Sequence, residues 1–508
     1  MKILLLFISV FFIGSFFNAS AQSITYSEIE KSDNRNLDFE ILGRFSENFL
    51  IFKNTNRRRE LTIYDNNMSI KQTVKLDFIS DRVSDIDFIT YPDYFIMIWQ
   101  FEKGNITRCR AAKMNADGKL LGVVTDLDTV RTGLFADKTS YSIAKSEDRK
   151  KILISKVRDR NDVYDLFTKI YDENLNLLET SMKIFDYNDR REYFGDMQID
   201  NDGTYVFTKL RHNARIEFIN TLEVYAKRLG SDSLMIIPVP LNDQLIQEPN
   251  LKVDNVNNRY LVNSFSYKRN AGNVNGIFTA IIDRNPFALA KKSINIFSDS
   301  LRDKLSVRSD WRTVFDNFNF RNVILKKDGG FMAVSEEYYK TRRYGNSYDD
   351  RFGTGNNGFN RYGSASDYYM YNRGAYGYYR PFNDSYNRDI VYNYNDIISF
   401  SFTKDLVLQW NNVINKTTSD IENDNFLSFA NMNAGAEMHF LFLQKDNNRQ
   451  IISDHALQPD GSVIRYATLK GREAGYYFMP RLGRQTGLHQ MIIPCLVRNN
   501  IAFAKIDF

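Results

Sequence analysis

RNVILKKDGGFMAVSEEYY (321–339) and YNYNDIISFSFTKDLVLQW (392–410) are the two pieces of sequence on which the fold reading rests. The first is a pair of short apolar runs hinged on Asp328-Gly329-Gly330, and the second a pair hinged on Lys404-Asp405. Between them lies a long segment rich in Tyr, Asn, Gly and Arg. With that segment set aside, four antiparallel strands remain, which is the content of one β-propeller blade.

Working outward, the same pattern of strand, turn, strand, linker and closing hairpin can be laid over the rest of the chain. It reads over 39–76, 83–130, 141–185, 193–241, 251–297, 318–414 and 426–469. Turns through Asp, Asn and Gly mark the hairpins, as at Asp65-Asn66-Asn67 and Asn115-Ala116-Asp117-Gly118. The repeats recur every roughly 45–55 residues, a length that suits four-stranded blades. Runs such as FLIF, IMIW, ILIS and FLFL are apolar at successive positions, as expected of strands covered on both faces.

The last repeat, 476–508, holds only three strands, YYFMPRL, QMIIPCLV and IAFAKIDF. The segment ITYSEIE (24–30) alternates correctly and has no other place, so it is expected to pair with 501–508 and complete that blade. The expected fold is therefore all-β: an eight-bladed β-propeller, with seven as the alternative count, closed by its N-terminal strand. It would be a single domain over residues 22–508.

Composition agrees with strands. The 508 residues are 43% hydrophobic, 25% charged and 14% aromatic, with 39 Phe, 30 Tyr and only 9 Pro. A formal charge of +5 is small for this length and argues against an obligate nucleic-acid binder.

The N-terminus reads as an export signal over 1–21. Lys2 gives a positive start, Ile3 to Phe17 is continuously apolar, and Ala19-Ser20-Ala21 is an A-x-A cleavage site. Cleavage is expected before Gln22, and no Cys lies there to carry a lipid. No later run is long and apolar enough for a transmembrane helix, so the exported chain is expected to lack such an anchor. Periplasm or cell surface of a Gram-negative bacterium is the expected location. Cys109 and Cys495 fall on non-adjacent repeats and are expected as two unpaired, buried thiols.

Motifs for catalysis are sparse. Asp200-Asn201-Asp202-Gly203 has the residue types of a calcium loop, but it lacks the remaining ligands and is ordinary turn chemistry. His212, His439, His455 and His489 form no zinc signature with one another. His439, flanked by Met438 and Phe440, reads as a packed side chain. Glu336-Glu337 offers two carboxylates, yet neighbours on a strand face opposite ways, so at most one enters any pocket. No catalytic residue, metal ligand or cofactor site is assigned.

The insert, 341–393, is the unusual segment. It has almost no aliphatic residues and cannot build a core, so it is expected as a largely disordered excursion within the sixth blade. Flat aromatic area with adaptable hydrogen bonding suits contact surfaces. The candidate ligand-binding residues are therefore Tyr344, Tyr362, Tyr368, Tyr369, Tyr371, Tyr376, Tyr378 and Tyr379.

GGFMAVSEEYY, the aromatic-rich insert, YNYNDIISFSFTKDLVLQW, MPRLGRQ and IIPCLVRNNIAFAKIDF together resemble a family of exported proteins from Gram-negative bacteria. The resemblance covers the last third of the chain. It implies a propeller-like repeat fold and supplies no catalytic residues. The expected function is a binding or scaffolding module for a protein or glycan of the cell envelope, with no nucleic-acid partner. A propeller-type glycan hydrolase or lyase is the enzymatic alternative, and it requires carboxylates gathered at the central channel. An outer-membrane β-barrel is the second alternative, suggested by the terminal Phe508 with Ile506 and Ala504 alternating behind it.

Overall fold

The computed structural model describes residues 22–29, 38–54, 58–79, 83–131, 141–160, 163–188, 191–195, 197–212, 218–268, 273–305, 313–342, 390–421, 424–446, 449–469, 475–498 and 500–508. Antiparallel β-structure dominates these residues, and one short α-helix, Asp299–Leu305, interrupts it. The strands divide into seven sheets, five with four or five strands reading in chain order. A barrel wall would need one continuous closed sheet instead.

The nine-stranded sheet is a five-strand set, whose first strand is split in two, and a four-strand set, and their ladders meet only through the pair Ile219↔Ile246 among the described residues. Eight units of the same plan result, numbered here 1 to 8 in chain order. Unit 1 shows the plan: Asp38–Phe45, Asn48–Asn54, Arg59–Tyr64 and Ile70–Lys75, each paired with the next. Unit 5 begins at Gln244, earlier than the expected 251, because the ladder runs on past a bulge at Gln247/Asn250.

Unit 8 is completed from the other end of the chain, as the sequence suggested. Ser23–Tyr26 pairs with Asn500–Asp507 in the register Ser23↔Asp507 to Tyr26↔Ala504. Ser27 extends the pairing, its N–H donating to the Phe503 carbonyl at 2.8 Å and its Oγ accepting from the Phe503 N–H at 3.0 Å. Tyr26 packs its ring 4.6 Å from Tyr476.

Buried cores lie between consecutive units. Phe52 and Leu61 of unit 1 share a core with Phe88 and Phe95 of unit 2, and equivalent cores join each later unit to its successor. A further core joins unit 8 to unit 1, uniting Ile492 and Phe503 with Phe39, Ile51 and Tyr64. Cys109 and Cys495 are free and buried in two different cores, and burial pushes both thiols up.

The Asp/Asn/Gly turns connect first to second and third to fourth strands, so they gather at one end of each unit. There they bond to their neighbours. Asp148 N–H donates to Asn201 Oδ1 at 3.1 Å, and Asn201 N–H to Asn255 Oδ1 at 3.1 Å. Lys505 of unit 8 donates to the Asn66 carbonyl of unit 1 at 2.7 Å. Asp200 spends its Oδ1 on the N–H groups of Asp202 and Thr204 and its Oδ2 on Tyr260 and Arg284, which is turn chemistry.

The hairpin of unit 6 differs from its expected limits. Phe331–Arg342 and Ile390–Phe402 stay paired out to Arg342↔Ile390, so 341–342 and 390–393, expected inside the insert, are ladder. Tyr338, Tyr392, Tyr394 and Leu427 bury the base of this extension, and Thr418–Ile421 adds a third strand to it. Aromatic packing carries the ladder further than strand patterning had indicated.

Candidate functional site

The first strands of the units carry polar residues at alternate positions: Asp38 and Glu40 in unit 1, Asp85 and Asp87 in unit 2, Asn319 and Arg321 in unit 6. Alternation follows from the two-residue period of a strand. The apolar partners in between, such as Phe39, Ile41, Phe88 and Ile89, enter the inter-unit cores.

Units 8, 1, 2 and 3 bring their charges together. Arg484, opening the strand Arg484–Gly487 of unit 8, places Nη1 3.9 Å from Glu40 Oε1. The same guanidinium donates to the Ile41 carbonyl and, at 3.4 Å, to Thr90 Oγ1. Lys145, closing the strand Ser142–Lys145 of unit 3, reaches the Phe88 carbonyl at 3.5 Å. Arg149 donates to the Thr90 carbonyl, and its own carbonyl accepts from Tyr91 OH at 2.7 Å.

The electrostatics here are unusual. Burial pushes the Asp38 carboxyl up to about 7, and Asn54 opposes it. Burial likewise pushes Glu40 up to about 7 against the pull of Arg484 and Lys145. Lys145 is brought down to about 8 by burial and by Arg484. Yet the site is not sealed: the side chains of Glu40 and Arg484 keep 24% and 11% of their exposure. Groups enclosed by protein but touched by water are what a narrow polar channel would produce, and titration near neutrality is the property that acid–base chemistry needs.

Unit 5 adds a second feature. Glu248 sits in the bulge at Gln247/Asn250 with φ of 48°, a left-handed conformation that costs energy for a side chain of this size. Ser264 fixes the bulge, accepting from Gln247 N–H and donating to its carbonyl. Burial alone pushes the Glu248 carboxyl up to about 7. Bulges are used to re-aim side chains.

Among the described residues no group of three or more His, Cys, Asp or Glu is arranged to hold a metal ion. His439 is packed, its Nδ1 2.9 Å from Asp454 Oδ1 and its ring stacked on Tyr466. Glu336 is fully buried and paired with Lys416 at 2.7 Å, so it faces no pocket, while Glu337 is half-buried opposite Phe318. Tyr344, Tyr362, Tyr368, Tyr369, Tyr371, Tyr376, Tyr378 and Tyr379 lie outside the described residues. Sequence reading missed the cluster at Glu40, although its signal was present: D-F-E at 38–40 and D-I-D at 85–87 open consecutive repeats.

No family model matches this sequence, and no curated protein matches it. Solved structures do match. Prolyl oligopeptidase B from Galerina marginata aligns at 9% identity over 92% of this chain and 56% of its own, with a TM-score of 0.39. The chain thus spans little more than half the length of that enzyme. The apocarotenoid oxygenase of Synechocystis aligns at 8% identity over 95% of this chain and 93% of its own, with a TM-score of 0.34. Among the described residues no helix is long and apolar enough to cross a membrane.

Proposed function

We propose that this chain is an exported eight-bladed β-propeller, closed by Ser23–Tyr26, that binds a protein or glycan of the cell envelope at the mouth of its axial channel. The blade count rests on eight units of one plan and on a circuit of cores that returns from unit 8 to unit 1. The binding reading is carried by one observation: Asp38, Glu40, Lys145 and Arg484 converge from the first strands of different units and remain reachable by water. In an eight-blade ring, unit 5 stands opposite unit 1, which sets the Glu248 bulge across the axis from Glu40. Export rests on the leader at 1–21 alone.

Capture from envelope material tests this, using the exported chain, a Lys145→Met/Arg484→Ala variant, and a variant with 343–389 replaced by a Gly-Ser turn. Loss of one and the same captured component in the charge variant is the expected result. Loss only in the insert variant moves the binding surface to the insert. Equal capture by all three overturns the reading.

A hydrolase or lyase acting on envelope glycans is the second reading, favoured by carboxyls near 7 beside a lysine near 8. Glu40→Gln then abolishes glycan cleavage while capture survives. Absence of cleavage by the wild-type chain across envelope glycans sinks this second reading.

A further inference from the structure

The fourth strand of each unit has one ladder edge without a partner strand among the described residues, and such edges invite pairing with another chain. Most are blunted. Unit 1 ends on six residues with two lysines, unit 4 on six containing Pro238, unit 7 on three, and unit 8 on four. Unit 5 ends on ten, but Lys291 and Lys292 stand side by side in the middle. Unit 3 ends on Leu177–Asp186, ten residues reading LLETSMKIFD, with no proline and a single lysine.

That strand is also the most apolar on its outer face. Met182 and Ile184 share one face and are 44% and 62% exposed, and Leu178, at a bulge opposite Ile170/Tyr171, is 42% exposed. The opposite face is committed to unit 4. Glu179 accepts from Gly230 N–H at 2.6 Å and pairs with Lys227, and Lys183 donates to the Asp232 carbonyl at 2.6 Å. Each keeps unused capacity, because a carboxylate accepts several hydrogen bonds and an ammonium donates three.

We propose that two copies of this chain join antiparallel through Leu177–Asp186, about a twofold axis passing through Ser181. The sequence selects this register. A twofold axis normal to the sheet keeps the faces of both copies aligned, so paired positions must have the same parity. With the axis at Ser181, in the regular part of the strand beyond the bulge at Leu178, Glu179 of each copy faces Lys183 of the other and Thr180 faces Met182. With the axis at Thr180, Glu179 faces Ser181. With the axis at Met182, Lys183 faces Ser181 and Glu179 faces Phe185. Of these registers only the one at Ser181 sets the two opposite charges against each other, and opposite charges across a ladder stabilise it while mismatched ones do not. An isologous contact of this kind closes on itself, so it gives a dimer and no fibre.

Light scattering on the purified exported chain should return twice the chain mass. Met182→Lys combined with Ile184→Lys, both at exposed positions, should return the single chain mass with an unchanged melt. Ser181→Cys places one thiol against its own copy, so mild oxidation should give a cross-linked dimer on a non-reducing gel. A monomeric wild-type chain overturns the proposal, as does a dimer that survives the double lysine variant. A dimer lost in the lysine variant without the cross-link overturns the register and the charge pairing that selected it.

Discussion

Two groups of enclosed charges in this molecule look alike in composition and behave differently. One ties unit 6 to units 7 and 8. There Glu336 and Lys416 pair at 2.7 Å with both side chains fully buried, Ser428 Oγ donates to Glu336 Oε2 at 2.5 Å, and Lys416 Nζ donates to the Tyr394 carbonyl at 2.8 Å. Arg481 pairs with Asp424, which also accepts from Tyr394 OH. The other group is Asp38, Glu40, Lys145 and Arg484, where Arg484 stands 3.9 Å from Glu40 and water reaches both of these side chains. The first group is shut off from water and pairs its charges across units, so it serves to hold them together. The second is reached by water, and that access is the requirement for meeting a ligand or moving a proton.

Breaking the sealed group should have the largest effect. Lys416→Met leaves the Glu336 carboxylate buried beside an apolar chain, and removing one partner of a buried pair costs about 3–5 kcal/mol. Urea unfolding should show that loss in its midpoint. Adding Glu336→Gln should recover much of it, since the uncompensated charge is then gone. A Lys416→Met variant as stable as wild type would erase the distinction between the two groups.

The two groups were also unequally legible in sequence. Alternating carboxylates at 38–40 and 85–87 are strand periodicity and could be read directly, because the inner strands repeat once per unit. Lys145 closes a strand of only four residues, and Arg484 follows a 3-10 turn at Pro480–Leu482 that splits the first strand of unit 8. Neither gives a periodic signal long enough to mark its face. Glu336 and Lys416 are separated in the chain by the insert, so nothing local announces their pairing. Strand order and the closure of unit 8 were readable because hydrophobic runs and turn residues recur. Side-chain convergence was not, because it depends on how eight units are set against one another.

A smaller effect separates the groups by pH. Glu40 has an ordinary value of 4.5 and a folded value of about 7, so between these the folded state holds more protons than the unfolded one. Stability therefore falls as pH rises through that window, by on the order of 2 kcal/mol, and the contribution of Asp38 runs the same way. Lys145, about 8 folded against 10.5 ordinarily, makes stability rise again from 8 towards 10.5. Glu40→Gln should make the fall between pH 4.5 and 7 shallower, with the Asp38 share remaining, and leave the alkaline rise in place. An unaltered slope in that variant would show that the carboxyls of unit 1 titrate as surface groups do.

The smallest expected effect sharpens the comparison at the base of the insert. Tyr394 bonds to both halves of the sealed group, through its carbonyl to Lys416 and its hydroxyl to Asp424. The ladder continues beyond it to Arg342↔Ile390, with Tyr392 packed beside Tyr394. Replacing only 343–389 by a Gly-Ser turn preserves every one of these contacts. Loop closure depends weakly on length, so the thermal melt should correspond to a change of roughly 1–2 kcal/mol at most. Replacing 341–393, the limits that composition alone suggests, also removes Tyr392 and the pairs of Val391, Tyr392 and Asn393 with Asp420, Ser419 and their neighbours. That wider cut should cost more, because it opens the buried base above the sealed group. Equal melts for the two variants would mean that the extended hairpin contributes nothing to the group beneath it.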